Sequence, residues 1–427
     1  MKNICIVGLG RLGASFAACW AKRGFNVTGV DINTEILKKI NAKEAPMPEP
    51  GLDETLKKHP FKAVDNILDG MATANVTFIL VATPSTSSGR FSEHGVLKVC
   101  QSVGKGLQSK KYHVIVIAST VSPGTVEKTI IPQLEESSGK KCGPDFGVCY
   151  VPEWVALGNL IHGFLNPDLT LIGSTDKKCG DIVEELYKEF LENDPPIVRT
   201  DILNAELCKI CLNVYVATKI TFANTIAQIC EQFPGADADV VTNTIGLDSR
   251  IGNKFFKGAM SYSGPCFVRD VPAMKALLEE VDEFPILPLA VDEMNKRRTQ
   301  SLVKLIHRNS LGKTTAMLGL TFKPDTDIIE NSASMWVVEE LRDRCQMMNF
   351  YDPEAKNTPE WMIRHESLEK CIKNSHTIVV MTPWPEFKKI DPKLFENKTL
   401  IDCWRIYKDV ELPESTKYVP LGKHTGT

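Results

Sequence analysis

Short apolar runs recur along the chain, separated in several places by stretches of helical period, and the two alternate in two blocks. In the first block the pattern predicts strands over Asn3–Val7, Asn26–Val30, Val76–Val81, Val114–Ala118, Gly147–Val151 and Leu169–Gly173. A helix over Ala14–Arg23 is stopped by Gly24. Strands that alternate with helices imply a mostly parallel sheet. In the last block, strands fall at Thr315–Thr321, Met348–Tyr351, His376–Met381 and Thr399–Asp402, with a helix over Ser332–Arg344 and a frayed end after Leu421. Between the blocks, Asn204 to about Phe233 lacks Gly and Pro and is rich in apolar residues. That length predicts one long helix that joins two domains or packs against a partner. Its apolar positions exceed one stripe, so more than one side is expected to be buried.

The first strand runs into Gly8, Gly10 and Gly13, in G-x-G-x-x-G spacing, and the second ends at Asp31. Gly8 permits the tight turn, Gly10 lets a pyrophosphate approach the backbone, and Gly13 allows close helix packing. The helix N-terminus presents positive partial charge to the phosphates, and Arg11 and Leu12 of the turn are expected beside the cofactor. Asp31 would accept ribose hydroxyls, and Ile32, Asn33 and Thr34 offer no cation for a 2′-phosphate, so NAD is expected over NADP. Ligands in such folds sit at the carboxyl ends of strands. Thr83-Pro84, Ser119-Thr120 and Pro152-Glu153 are therefore expected around one crevice. The fold class is α/β: two Rossmann-like parallel-sheet domains joined by a long central helix. The expected segments are 1–198 for the dinucleotide, 199–300 for the helical and dimerisation region, and 301–427 for a second nucleotide-like domain.

Composition narrows the class. With 427 residues, 43% hydrophobic, 24% charged and a net charge of −3, the chain reads as a multidomain globular protein and not a general nucleic-acid binder. No stretch is expected to reach the apolar length of a membrane span, and the first strand leaves no room for a signal peptide. Thirteen scattered cysteines suggest reduced thiols in a cytoplasmic enzyme, and no metal is expected.

Two further features carry chemistry. Lys209 and Asn213 lie four apart, hence on one helical face, and a lysine buried there would need an anionic partner. Cys266 ends a loop of small residues from Gly258, with Asp270 four residues on. The other cysteines are read as small buried hydrophobes. At an ordinary thiol pKa of about 8.5, roughly 3% is thiolate at pH 7, and a nearby carboxylate lowers that fraction. Asp270 is thus read as a proton acceptor, while a cation such as Lys209 could oppose the thiolate.

GLGRLG, EPGLDE from Glu49, ATP from Ala82, STVSPGT from Ser119 and PE at Pro152 stand in the first half. AELCKICLN from Ala205, GLDSRIGNKF from Gly246, GPCFVRD from Gly264, LGLTFKPDTD from Leu318 and DCWR from Asp402 follow. In order and spacing, over nearly the whole chain, these resemble the UDP-glucose dehydrogenase family of nucleotide-sugar 6-dehydrogenases. The resemblance implies a homodimer through the central helix, a C-terminal domain for a UDP-sugar, and a four-electron oxidation using two NAD⁺. Cys266 would capture the first-formed aldehyde, pass through a thiohemiacetal to a thioester, and release a uronic acid. It further implies that Lys209 and Asn213 stabilise an oxyanion, Thr120 and Asp270 handle a water or protons, and Glu153 assists hydrolysis. Trp154, Val155, Asn253, Lys254, Phe255, Tyr262, Gly264 and Phe322 would line the nucleotide and sugar. Lys323 and Arg405 would hold phosphate or sugar oxygens, and Arg250 would reach the partner's sugar.

The sequence departs from the family pattern at Ala118, Leu157, Leu169, Ala259, Ser261, Ser263, Ile328 and Glu330. These bear on cofactor affinity and sugar fit and leave the nucleophile in place. UDP-glucose is the expected substrate, with UDP-N-acetylmannosamine, UDP-N-acetylglucosamine and GDP-mannose as competitors. A two-electron hydroxyacid dehydrogenase and a non-catalytic sugar-nucleotide binder are the readings of other classes.

Overall fold

The computed structural model describes residues 2–425 except 343, 345 and 346. It divides into two compact units, 1–211 and 212–427, and the boundary falls inside the long helix. The expected middle segment is shared between them.

The first unit is built on an eight-stranded sheet. Its strands are β1 (Asn3–Val7), β2 (Asn26–Val30), β3 (Lys62–Val64), β4 (Val76–Ile79), β5 (His113–Ile117), β6 (Phe146–Tyr150), β7 (Thr170–Ser174) and β8 (Ile197–Thr200). The order is β3-β2-β1-β4-β5-β6-β7-β8, reversing beside β1 as in a dinucleotide fold. Pairing is parallel except between β6 and β7, where Tyr150 faces Gly173. Central strands β4, β5 and β6 are buried throughout, which explains their unbroken apolar runs. His113 extends β5 by one residue: its Nε2 pairs with Thr77 Oγ1 at 2.8 Å, and burial pushes its pKa down to about 3, so it stays neutral. On one face of the sheet Trp20 stacks on Phe190 at 4.1 Å, and Phe16 meets Phe78 edge-on.

Two short edge strands, β3 and β8, carry no clear apolar run and escape the pattern. The first helix begins at Arg11, earlier than expected, because Gly10 already takes the cap position.

The second unit holds a six-stranded sheet of β9 (Thr314–Leu318), β10 (Met347–Tyr351), β11 (Ile363–Arg364), β12 (Thr377–Val380), β13 (Thr399–Asp402) and β14 (Lys417–Pro420). Its order is β11-β10-β9-β12-β13-β14, parallel throughout. The expected fraying after Leu421 is not found through His424. Gly422 N donates to Glu231 Oε1 at 2.8 Å, Lys423 pairs with Asp237 at 2.8 Å, and His424 Nδ1 lies 3.1 Å from the Glu231 carbonyl. Residues 426 and 427 lie outside the described residues.

The long helix, Ile202–Cys230, has 29 residues. By length and composition it could cross a membrane, contrary to expectation, but 56% of its most apolar window is buried inside the protein. Its apolar character is that of a core helix, and its buried polar residues need protein partners.

Gly13 has no room for a side chain, since a Cβ there would lie 1.8 Å from the Gly8 carbonyl oxygen. Gly13→Ala should lower stability by about 1–3 kcal/mol or more, read as a fall in Tm with loss of NAD affinity. An unchanged Tm would show that the turn relaxes freely.

Candidate active site

In the first unit, the glycine turn is shaped for a dinucleotide. Gly8 adopts φ +95°, and a Cβ on it would strike the Leu80 carbonyl at 2.3 Å. Nothing lies within 4 Å of where a Gly10 Cβ would stand, so the space a pyrophosphate needs is open. Asp31 Oδ2 accepts from Leu9 N at 2.6 Å and Oδ1 from Asn33 N at 2.8 Å, which ties the end of β2 to the turn. Arg11 reaches back to the Pro48 carbonyl and Leu12 is exposed.

Two of the three strand ends are joined, through the inward-turned hydroxyls of Thr83 and Ser119. Thr83 Oγ1 donates to the Thr120 carbonyl at 2.6 Å, and Ser119 Oγ bonds both the N–H and the carbonyl of Val81 at 2.8 Å. Thr83 and Ser119 thus clamp the two loops together, and Pro84 lies exposed beside them.

Beyond β6, Lys209 Nζ donates to the Glu153 backbone carbonyl at 2.7 Å and stands 5.0 Å from the Trp154 ring centroid. The partner is thus a neutral peptide carbonyl and an aromatic face, in place of the expected anion. The buried Tyr187 hydroxyl donates to Glu153 Oε1 at 3.0 Å. Desolvation raises the Glu153 carboxyl to about 7, while Tyr187 and the Lys209 charge pull it down. Glu49, from the EPGLDE run, accepts from Gly158 N at 2.9 Å and Leu160 N at 2.8 Å, and so fixes the segment that follows Glu153. Val155 packs against Gly163 in that segment. Tyr187 escapes sequence reading because it reads as one more apolar position of its helix.

In the second unit, Cys266 is exposed and caps a helix over Phe267–Glu280, so the cysteine ends a loop and starts a helix. Asp270 N bonds the Cys266 carbonyl at 2.9 Å, which places the carboxylate in that helix's first turn. The thiol stands at the helix end that favours an anion. Asp270 is fully buried, and its Oδ2 accepts from Asn213 Nδ2 at 2.5 Å. Arg269 Nε lies 3.5 Å from Oδ1.

The approach to Cys266 is held by side chains. Asn224 accepts from Ala259 N at 2.8 Å and donates to Met260 O at 2.9 Å. Asn295 binds the N–H and carbonyl of Tyr262 at 2.8 and 3.0 Å. Arg298 donates to Ala259 O at 2.7 Å. Arg405, expected at phosphate or sugar, is buried and committed inside the protein. It grips Asp239 through Nε at 3.0 Å and Nη2 at 2.8 Å, and donates to Gly258 O and Leu421 O at 2.7 Å each. Gly264, at φ +85°, lets the loop rest on Phe322, whose ring would lie 2.6 Å from a Cβ. Tyr262 is buried and meets Phe267 edge-on, as does the half-exposed Phe255. Asn253 and Lys254 are exposed just before Phe255, and Lys323 follows Phe322 in the loop after β9. Arg250 is exposed and pairs with Asp248 at 2.7 Å. Two cysteines expected to be buried, Cys208 and Cys211, are exposed on the long helix, and Cys345 lies outside the described residues.

Three family models match in succession: the NAD binding, central and UDP binding domains of the UDP-glucose/GDP-mannose dehydrogenase family, over residues 2–191, 203–297 and 316–409. The chain is 32% identical to UDP-glucose 6-dehydrogenase AglM of Haloferax volcanii, covering 95% of this chain and 97% of that one. It is also 32% identical to GDP-mannose 6-dehydrogenase of Pseudomonas savastanoi pv. phaseolicola, covering 94% and 95%. A UDP-glucose dehydrogenase structure from Pyrobaculum islandicum is similar with TM-score 0.91 and 27% identity, over 99% of this chain and 98% of that one.

Glu153 generates a pH prediction. Its pKa is raised on folding, so the stability it contributes is full below about pH 4.5 and is lost as pH rises towards 7. Glu153→Gln should therefore raise Tm more at pH 8 than at pH 5. Tyr187→Phe should move the transition upward, because it removes a bond that favours the carboxylate. Equal Tm changes at both pH values would show that Glu153 titrates normally.

Proposed function

Because the chain belongs to the UDP-glucose/GDP-mannose dehydrogenase family of NAD-dependent nucleotide-sugar 6-dehydrogenases, we propose that it oxidises UDP-glucose to UDP-glucuronate through Cys266. The observation that carries this reading is the joint placement of Cys266 at a helix start, Asp270 one turn on, and the Asn213 amide on that carboxylate. The Gly8–Gly13 turn and Asp31 would hold NAD, which when bound would supply the hydride acceptor for both oxidations.

Oxidation of the sugar's C6 hydroxyl gives an aldehyde and releases a proton. The Cys266 sulfur adds to the aldehyde carbon, and the oxygen takes up the thiol's proton to give a thiohemiacetal. The second oxidation removes that carbon's hydrogen, with two electrons, and the hydroxyl proton, leaving a thioester. Water cleaves it to the carboxylate and free thiol. Lys209 and Asn213 serve as fixed donors to the oxygen that gains charge. A carboxyl poised near 7, as in Glu153, suits proton transfer from the hydrolytic water. Thr120 and Asp270 position water or accept protons. Arg405, whose donors are committed to Asp239, Gly258 and Leu421, acts by holding the cysteine approach in place. Asn253, Lys254, Phe255, Tyr262, Phe322 and Lys323 are assigned to the nucleotide-sugar.

GDP-mannose is the second reading, because relatives acting on it are as similar as those acting on UDP-glucose. With NAD⁺ and a panel of UDP- and GDP-sugars, UDP-glucose should yield two NADH per sugar, and Cys266→Ser should abolish the full oxidation. Preference for GDP-mannose would replace the substrate. One NADH per sugar, unaffected by Cys266→Ser, would sink the thioester route.

The same reading includes a homodimer. On the long helix, Cys208, Cys211, Tyr215, Thr218, Phe222, Thr225 and Ile229 alternate at spacings of three and four, a pattern that suits a helix–helix seam. Tyr215, Phe222 and Ile229 are 64%, 56% and 53% exposed, one heptad apart on the same face, and such a row of large apolar side chains favours a protein partner. Phe222→Asp with Tyr215→Asp should convert a dimer to a monomer by light scattering. A wild-type monomer, or a dimer untouched by both changes, would remove this partner.

A further inference from the structure

Glu206 is a buried carboxyl without a role in the chemistry above. It is fully buried, and it precedes Lys209 by three positions and Asn213 by seven, on the same stripe of the long helix. Its two oxygens reach outside the helix. Oε2 accepts from Gly124 N at 2.6 Å and Oε1 from Val126 N at 3.0 Å.

Those two N–H groups open the helical segment that starts at Val126, and they would otherwise have no carbonyl to bond. The same segment is the far end of the Ser119–Thr120 loop. At its near end the loop is fixed by the Thr83 hydroxyl on the Thr120 carbonyl and by Ser119 on Val81. Next to the Glu206 clasp, Thr125 Oγ1 donates to Glu93 at 2.8 Å. The Thr120 loop is therefore suspended between a strand end and the turn of helix that presents Lys209.

We propose that Glu206 is a positioning residue that clasps the Thr120 loop to the Lys209 turn and so sets the distance between these two groups. The proposal rests on the roles assigned to Thr120 and Lys209 above. A carboxylate offers a strong acceptor to each N–H group, whereas protonation makes one oxygen a donor and weakens it as an acceptor. The clasp is therefore closed when Glu206 is ionised and half open when it is protonated. Burial raises this carboxyl to about 7, the two backbone N–H groups lower it, and Glu127 and Glu93 raise it further. Lys128 is the cation of the clasped segment, its side chain running beside Gly124. Near neutral pH both states of the clasp are thus populated.

Glu206→Gln mimics the half-open state without a buried charge. It should lower kcat about tenfold, change the nucleotide-sugar KM less than twofold, and leave Tm at pH 8 within a few degrees. In wild type, amide exchange in the 119–130 segment should quicken as pH falls from 8 to 6. In the variant it should be fast at both pH values. Glu206→Asp, which keeps the charge on a shorter arm, should recover part of the slow exchange. Wild-type kcat with slow exchange in Glu206→Gln would overturn the proposal. So would a loss of activity that only follows a fall in Tm with the pH profile unchanged. If the protein oxidises no nucleotide-sugar, the functional reading fails while the exchange arm still decides whether the clasp exists.

Discussion

An apolar helix that buries an acid, an amine and an amide along one stripe must find each of them a partner, and much of the candidate site follows from that demand. Unpaired, any of the three would cost several kcal/mol. In the first unit, Glu206 is satisfied by the opening of a helical segment and Lys209 by the Glu153 carbonyl. In the second, Asn213 is satisfied by Asp270, one turn into the helix that Cys266 begins. The partners are the loops and helix starts on which the proposed chemistry depends. Satisfying the long helix and arranging the site are thus one requirement.

A second principle recurs where the backbone is irregular. Loops at strand ends lack a ladder to bond their peptide groups, so side chains do it instead. Glu49 caps the segment after Glu153, while Asn224, Asn295, Arg298 and Arg405 take up successive peptide groups from Gly258 to Tyr262. An asparagine amide is suited to this, because it offers a donor and an acceptor as a neighbouring strand would. The approach to Cys266 is held by side-chain hydrogen bonds, and it ends in an exposed cysteine. Reactive groups on rigidly held loops are what preorganised catalysis needs.

The sheets and the long helix were legible from pattern, because central parallel strands and a 29-residue apolar helix leave signals that little else imitates. Edge strands such as β3, β8 and β11 were not, since two to four residues without a buried run resemble any loop. The glycine turn with Asp31 could be read because its backbone geometry requires those residue types. Cys266, Asp270, Lys209 and Asn213 could be singled out by spacing and by the order of motifs around them.

Partnership is what the linear order could not supply. Tyr187 on Glu153, Asn295 on Tyr262 and Glu206 on Gly124 each join residues more than thirty positions apart, through one or two directional bonds. Arg405 shows the same limit from the other side, because a motif arginine expected at the ligand is spent on Asp239 and two carbonyls. The sequence by itself determined the fold class, the dinucleotide turn and the inventory of reactive groups, since these rest on local periodicity and on backbone requirements at fixed spacing. Only the tertiary structure decided which groups are buried, what each is bonded to and which carboxyls are raised towards 7, because desolvation and hydrogen bonding depend on neighbours that chain order does not specify.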